Sequence, residues 1–245
     1  MNSLGRGATF KKISKSIVEN IEIPLPTLDD QERIAEEFKT VTTLIALRKK
    51  QLERLDELVK ARLIEMFGDP LSNSNGWPCV AITDACRLIL GGGAPSKSHP
   101  EYFTGTIPWV SPKDMKSTVI SDSIDHITEE AVAHSKTNLV PANSVLMVIR
   151  SGILKHTLPV AINSVPVTIN QDMKAFVPNE IVTTAFLVHY FKAIEHDVLS
   201  GVQGATADNI DFKSFQKRTI IVPPLELQAQ FAAFVEQTDK SKLSI

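Results

Sequence analysis

The chain is poor in cysteine and nearly balanced in charge. Cys79 and Cys86 are its only thiols, seven positions apart. With no second pair and no histidine at ligand spacing, a zinc ribbon is excluded, no metal site is expected, and a disulfide framework is disfavoured. No apolar run reaches the ~18 residues needed to span a bilayer. The first thirty residues carry Arg6, Lys11, Lys12 and Lys15 among polar neighbours rather than a signal core, so a soluble, cytoplasmic protein is expected. Lys and Arg number 26 against 28 Asp and Glu, a net charge of −2. No segment forms a basic block, which argues against binding by indiscriminate phosphate neutralisation; any nucleic-acid surface has to be local. Apolar material is plentiful, at 43% of 245 residues, enough for one large domain or a domain with an appendage, and too much for disorder.

Catalytic motifs are also wanting. Gly91-Gly92-Gly93-Ala94-Pro95-Ser96-Lys97-Ser98 has the look of a phosphate loop, but Ser96 stands where the motif needs Gly before its Lys. A Rossmann fingerprint is missing. Pro223-Pro224 lacks the flanking residues of an amino-methyltransferase. Asp211-Phe212-Lys213 could imitate the end of a nuclease metal site, yet no Pro-Asp precedes it. His99, His126, His134, His156, His189 and His196 are scattered without an acid or nucleophile at motif spacing. No cofactor is expected.

The chain does contain an internal repeat. Gly7, Ala8, Thr9, Ile13, Ile23, Pro26, Leu28, Gln31 and Ala35 recur as Gly204, Ala205, Thr206, Ile210, Ile220, Pro223, Leu225, Gln228 and Ala232, at a constant offset of 197. Each copy passes from a Gly-Ala-Thr turn through an apolar stretch to a proline corner and a helix-like run. The chain therefore reads as the end of one unit, one whole unit and the start of a third.

Residues 27–68 predict a long helix, with Thr27 and Asp30 as a capping pair and Gly68 and Pro70 as its stop. Its seam steps through Ile34, Phe38, Val41, Ile45, Arg48, Leu52, Leu55, Val59, Arg62 and Met66, a heptad pattern. At 1.5 Å per residue the helix would run roughly 55–60 Å, too far for one compact domain to cover. It either lies on its own domain or pairs in an antiparallel or intermolecular coiled coil. The second copy favours pairing: Leu227, Phe231, Phe234 and Val235 begin a similar helix at 223–245.

Residues 77–222 predict a strand-rich α/β domain. Strand-like segments fall at 80–82, 107–110, 145–149, 158–169 and 219–222. One helix carries Ile181, Ala185, Val188, Phe191, Ile194 and Val198, with Asn179 as N-cap and Gly201 as stop. Residues 1–26 form the strand-and-turn tail of a preceding unit.

Met66-Phe67-Gly68, Gly92-Gly93-Ala94-Pro95-Ser96-Lys97, Pro100-Glu101-Tyr102-Phe103, Ile107 to Met115, Val148 to Leu154 and Ile169-Asn170-Gln171-Asp172 occur in this order along the chain, with the Gly-Ala-Thr turn and the proline corner at both ends of the repeat. Together these stretches resemble the specificity subunits of type I restriction-modification systems. The resemblance implies a non-catalytic reader of double-stranded DNA. Family members have two target recognition domains, each reading one half of a bipartite site. Two long helices set their spacing and dock the methyltransferase subunit, and a nuclease-translocase subunit joins that complex. This chain departs in having one recognition domain and a short distal helix, so self-association into a dimer through residues 30–66 is expected. A silent gene fragment, or a coiled-coil adaptor without DNA affinity, is the alternative.

Candidate DNA contacts are Lys97, Ser98, Lys113 and Lys116, in loops bracketing a strand; Arg150 and Lys155, where an apolar strand ends; Asn170 and Gln171, whose amides suit adenine; and Gln203 before the repeated turn. Each could equally be a solvated loop residue or a strand-end cap. Tyr102, Phe103 and Trp109 could stack on bases, but beside strands they read better as core. The candidate helix interface is Ile34, Phe38, Val41, Ile45, Leu52, Leu55, Val59 and Met66.

Overall fold

The computed structural model describes residues 14–202 and 208–243. The chain divides into two compact units, residues 1–51 and 52–245. In the first, α1 (Lys15–Glu19) is capped by Ser14, whose side chain accepts from the Ile17 amide. The helix α2 (Leu28–Phe67) begins there and contributes its later residues to the second unit. The Thr27 hydroxyl accepts from the Asp30 amide at 3.3 Å and donates to the Asp30 carboxylate at 2.7 Å. That bond, followed by one from Arg33, lowers the Asp30 pKa. Gly68 ends the helix at φ +78°, where a Cβ would lie 2.4 Å from Ser74 Oγ.

The second unit continues with β1 (Cys79–Ala81), β2 (Cys86–Gly91), β3 (Ile107–Val110), β4 (Val119–Ile120), β5 (His126–Ile127), α3 (Glu129–Ala133) and β6 (Leu139–Val140). There follow β7 (Val145–Val148), β8 (Val160–Asn163), β9 (Val167–Ile169), β10 (Met173–Pro178), α4 (Thr184–Ala193), α5 (Glu195–Ser200), α6 (Phe212–Phe215), β11 (Thr219–Ile221) and α7 (Leu225–Leu243). A five-stranded sheet has the order β2-β10-β7-β8-β4, a four-stranded one β5-β3-β9-β6, and β1 pairs with β11. This is the mixed α/β architecture with a long helix that the periodicities predict.

Details differ from the sequence reading. The stretch 158–169 is two strands in different sheets, because Asn163 turns the chain between them: its buried amide bonds Pro141 O, Val165 O and the Ser144 amide. The helix expected from Asn179 to Gly201 is two helices. Thr183 caps α4 through the Phe186 amide, while Asn179 accepts from Ile181 and donates to Asp84 O. Strands β2 and β10 lie outside the segments read as strands, although β10 pairs on both edges.

The core forms because β7 is apolar at every position and buried on both faces. Helix α4 likewise buries Phe186, Leu187, Val188, Tyr190 and Phe191. Phe67 anchors the end of α2 among Phe186 and Phe231, with ring centroids at 5.1 and 5.6 Å. Within this unit α7 packs antiparallel on the end of α2. Phe231 meets Phe67, the Arg62 guanidinium sits 5.7 Å from the Phe234 ring, and Lys242 bonds Asp56 at 2.7 Å. Among the described residues no helix is long and apolar enough to cross a membrane.

Candidate nucleic-acid interface

Three segments far apart in sequence meet at one end of the five-stranded sheet: the exit of β7, the turn before β10, and the stretch around Asn209. Arg150 directly follows the apolar run of β7 and bridges to Asn209. The turn Asn170-Gln171-Asp172 carries the chain from β9 in one sheet to β10 in the other. Gly92 permits the loop after β2 to close over this turn; a Cβ there would lie 1.8 Å from the Asn170 carbonyl oxygen.

Four of the candidate DNA contacts gather here. The Arg150 guanidinium donates from Nε to Asp172 Oδ1 at 2.6 Å, its Nη2 forms an ion pair with the same oxygen at 2.6 Å, and the side chain stays half exposed. Lys155 pairs with Asp208 at 3.8 Å. Gln171 is exposed at the apex of the turn. Asn170 is different. Its side chain is buried, its Oδ1 accepts from the Asp172 amide at 3.1 Å, and its Nδ2 donates to Asp172 Oδ2 at 3.2 Å. The amide is therefore occupied in forming the turn and faces away from solvent. Gln203 lies outside the described residues.

The remaining candidates lie on other loops. Lys97 and Ser98 are exposed between β2 and β3, with the Ser98 hydroxyl 2.7 Å from that of Ser96. Lys113 is held by Asp125 at 2.6 Å, a hydrogen bond that raises its pKa. Lys116 lines a cavity of about 440 Å³ with Asp56, Lys192 and Lys242, on the helical side of this unit. The aromatic residues are structural: Tyr102 is buried against His99, and Trp109 donates to Gly93 O at 3.0 Å and packs on Phe103. Sequence reasoning missed Asp172 and Asp208, the acids that position the cations. Asp172 was readable as the end of an Asn-x-Asp turn, but only the fold brings it to Arg150.

The helix interface divides in two. Val59 is buried and Leu55 and Met66 are half-buried, whereas Ile34, Phe38, Val41, Ile45 and Leu52 are exposed, Phe38 by 69%. The buried row at the end of α2 is Val59, Leu63 and Phe67. The expected seam passes one residue beside it, through Arg62 and Met66, because a straight helix drifts from a strict seven-residue repeat.

The two Gly-Ala-Thr turns of the internal repeat lie outside the described residues, and Ile220 lies in β11 whereas Ile23 is in no strand, but the helix starts and their proline corners correspond. Helices α2 and α7 start at Leu28 and Leu225. Gln31 Nε2 donates to Pro26 O and Gln228 Nε2 to Pro223 O, each at 2.8 Å. Ser14 and Asp211, equivalent residues, both cap a short helix; the Asp211 carboxylate accepts from the Lys213 and Ser214 amides. The burial of the copies differs: Phe231, Val235 and Thr238 are buried, while their counterparts Ile34, Phe38 and Val41 are exposed.

A family model described as the type I restriction modification DNA specificity domain matches residues 1–57 and 74–245. The chain is 35% identical to the Type I restriction enzyme EcoR124I/EcoR124II specificity subunit of Escherichia coli, over 96% of this chain and 57% of that protein. It is 24% identical to the MjaIX specificity subunit of Methanocaldococcus jannaschii, over 96% and 58%. It thus spans somewhat over half the length of these relatives. Its fold is similar to the crystal structure of the HsdS subunit from Thermoanaerobacter tengcongensis (TM-score 0.58, 21% identity, 98% of this chain and 58% of that one). The S subunit from M. genitalium is similar too, with TM-score 0.59, 14% identity, and 99% and 63% covered. With the match extending over nearly all of its length, the chain belongs to the type I restriction-modification specificity family.

Proposed function

We propose that this chain is a non-catalytic DNA reader: the recognition domain at 77–222 contacts one half-site, and α2 docks the methyltransferase subunit of a type I complex that the nuclease-translocase subunit completes. The observation that supports it best is the convergence of Arg150 and Lys155, from the segment after β7, with Gln171, from the turn before β10, on one exposed sheet end. Arginine and glutamine are side chains suited to base edges. Lys97 and Ser98 would extend the same contact, with Lys113 and Lys116 as backbone contacts on other loops and Gln203 as a further candidate. Asn170 would serve by holding the turn.

The exposed stripe Ile34, Phe38, Val41, Ile45 and Leu52 supports a helix-mediated dimer, because the counterparts of its first three residues on α7, Phe231, Val235 and Thr238, are buried. Sedimentation at tens of micromolar would show twice the 26.9 kDa chain mass; a monomer alone would contradict this part. The reading function is tested by co-expressing the chain with its methyltransferase subunit in a host without other methylation, then mapping modified bases. A bipartite motif with two identical inverted halves is the expected result. A soluble complex that methylates nothing would leave docking without reading.

A further inference from the structure

We propose that Asp172 is a positioning residue for DNA recognition, holding Arg150 side-on so that its guanidinium engages DNA only at a matching sequence. The inference rests on the DNA-reading role proposed above. Asp172 is the hub of the sheet end. Its carbonyl accepts from the amides of Ile149 and Arg150 at 2.8 and 3.2 Å. Oδ1 accepts from Arg150 Nε and is ion-paired with its Nη2, and Oδ2 accepts from the Asn170 side-chain amide. The backbone bonds fix the turn without the carboxylate. The ion pair therefore adds little to the fold, since Arg150 is half exposed and exposed pairs contribute little to stability.

What the pair does alter is the behaviour of the guanidinium. Of its five N–H donors, Nε is committed to Asp172 Oδ1 and Nη2 lies within ion-pair distance of the same oxygen, which restrains the guanidinium while its half-exposed remainder stays available to a ligand. A free arginine would swing to the nearest phosphate of any duplex; a clamped one has to find its acceptor where the fork already points. The pairing also neutralises the charge. Arg150 with Asp172, and Lys155 with Asp208, each carry their own counter-charge, which weakens their non-specific attraction to DNA. Asn170 and Gly92 maintain the arrangement: one locks the turn and the other lets the neighbouring loop lie on it.

The test uses the full chain and two duplexes, one carrying the motif found by methylation mapping and one of random sequence. In Asp172→Asn the random duplex should bind about tenfold more tightly at low salt, with a salt dependence steeper by about one unit in the log–log slope. Discrimination between the duplexes should fall by a similar factor. In an Arg150→Ala background the same Asp172→Asn change should leave the discrimination ratio unmoved. Arg150→Lys, which keeps the charge and loses the fork, should lower discrimination while preserving the salt slope. Unaltered discrimination in Asp172→Asn, or an equal effect with and without Arg150, would overturn the proposal. Failure of the unmodified chain to bind either duplex would instead sink the DNA-reading role, and this inference with it.

Discussion

Replacing Gln228 by Leu should be among the costliest single changes to the second unit. The side chain is fully buried and makes three hydrogen bonds: Nε2 to Pro223 O at 2.8 Å and to Ile181 O at 3.0 Å, and Oε1 from the Thr183 amide at 2.8 Å. Leucine preserves most of the volume and abolishes all three. Each buried group left without a partner costs about 1–3 kcal/mol, so a total near 4 kcal/mol is expected. The repeat supplies its own control. Gln31 makes the corresponding bond to Pro26 O at 2.8 Å in a half-exposed setting, and its replacement by Leu should cost only about 0.5–1 kcal/mol. Urea denaturation followed by tryptophan fluorescence measures the Gln228 change, because Trp77 and Trp109 each donate to a main-chain carbonyl inside the second unit, those of Phe67 and Gly93. Tryptophan does not sample the first unit, so helical circular dichroism should be recorded for Gln31→Leu. A cost below about 1 kcal/mol for Gln228→Leu would refute the reasoning. So would equal costs at the two positions, since Gln228 is buried with three hydrogen bonds and Gln31 is half exposed with the one to Pro26 O.

Three further outcomes follow from the same structure. His189 is depressed to about 3, first by burial and then by Lys192 and Lys242, so the unfolded chain binds its proton more readily. Stability is retained above pH ~6.5 and falls as the pH drops toward 3, by up to about 1.4 kcal/mol per unit; urea midpoints at pH 7 and 5 should converge in His189→Leu. Burial pushes the Cys86 thiol up to about 12 while Cys79 is exposed, so a thiol reagent should titrate one group in the native protein and two in denaturant. Gly92→Ala places a methyl 1.8 Å from the Asn170 carbonyl; proteolysis should become faster in the loop after β2, and unchanged cleavage there would show that the close approach is dispensable.

The long helix and the repeat were readable because each rests on a single periodicity that local sequence carries, and their starts at Leu28 and Leu225 match the offset of 197. The position of the sheet end was not. Arg150 and Asp172 are 22 residues apart, and only the crossing of β7 and β10 joins them. Strand β10 escaped the reading because Lys174 interrupts its apolar run; that ammonium lies over the Phe212 ring at 4.8 Å, a contact invisible before folding. Asn170 matched the residue type that suits adenine, yet the buried turn uses both ends of its amide. Residue type indicates what a side chain is able to bind, and burial decides what it is left free to bind.

The two proline corners act as matching sockets. Each leads into a helix by the same glutamine-to-carbonyl bond and the same helix start, so the two junctions share these features. A segment cut at one corner and joined at the other would meet the same bond and the same helix start. Whatever stands between the corners is then registered by the joints rather than by its own surface, and its exchange leaves the helices on either side without need of redesign.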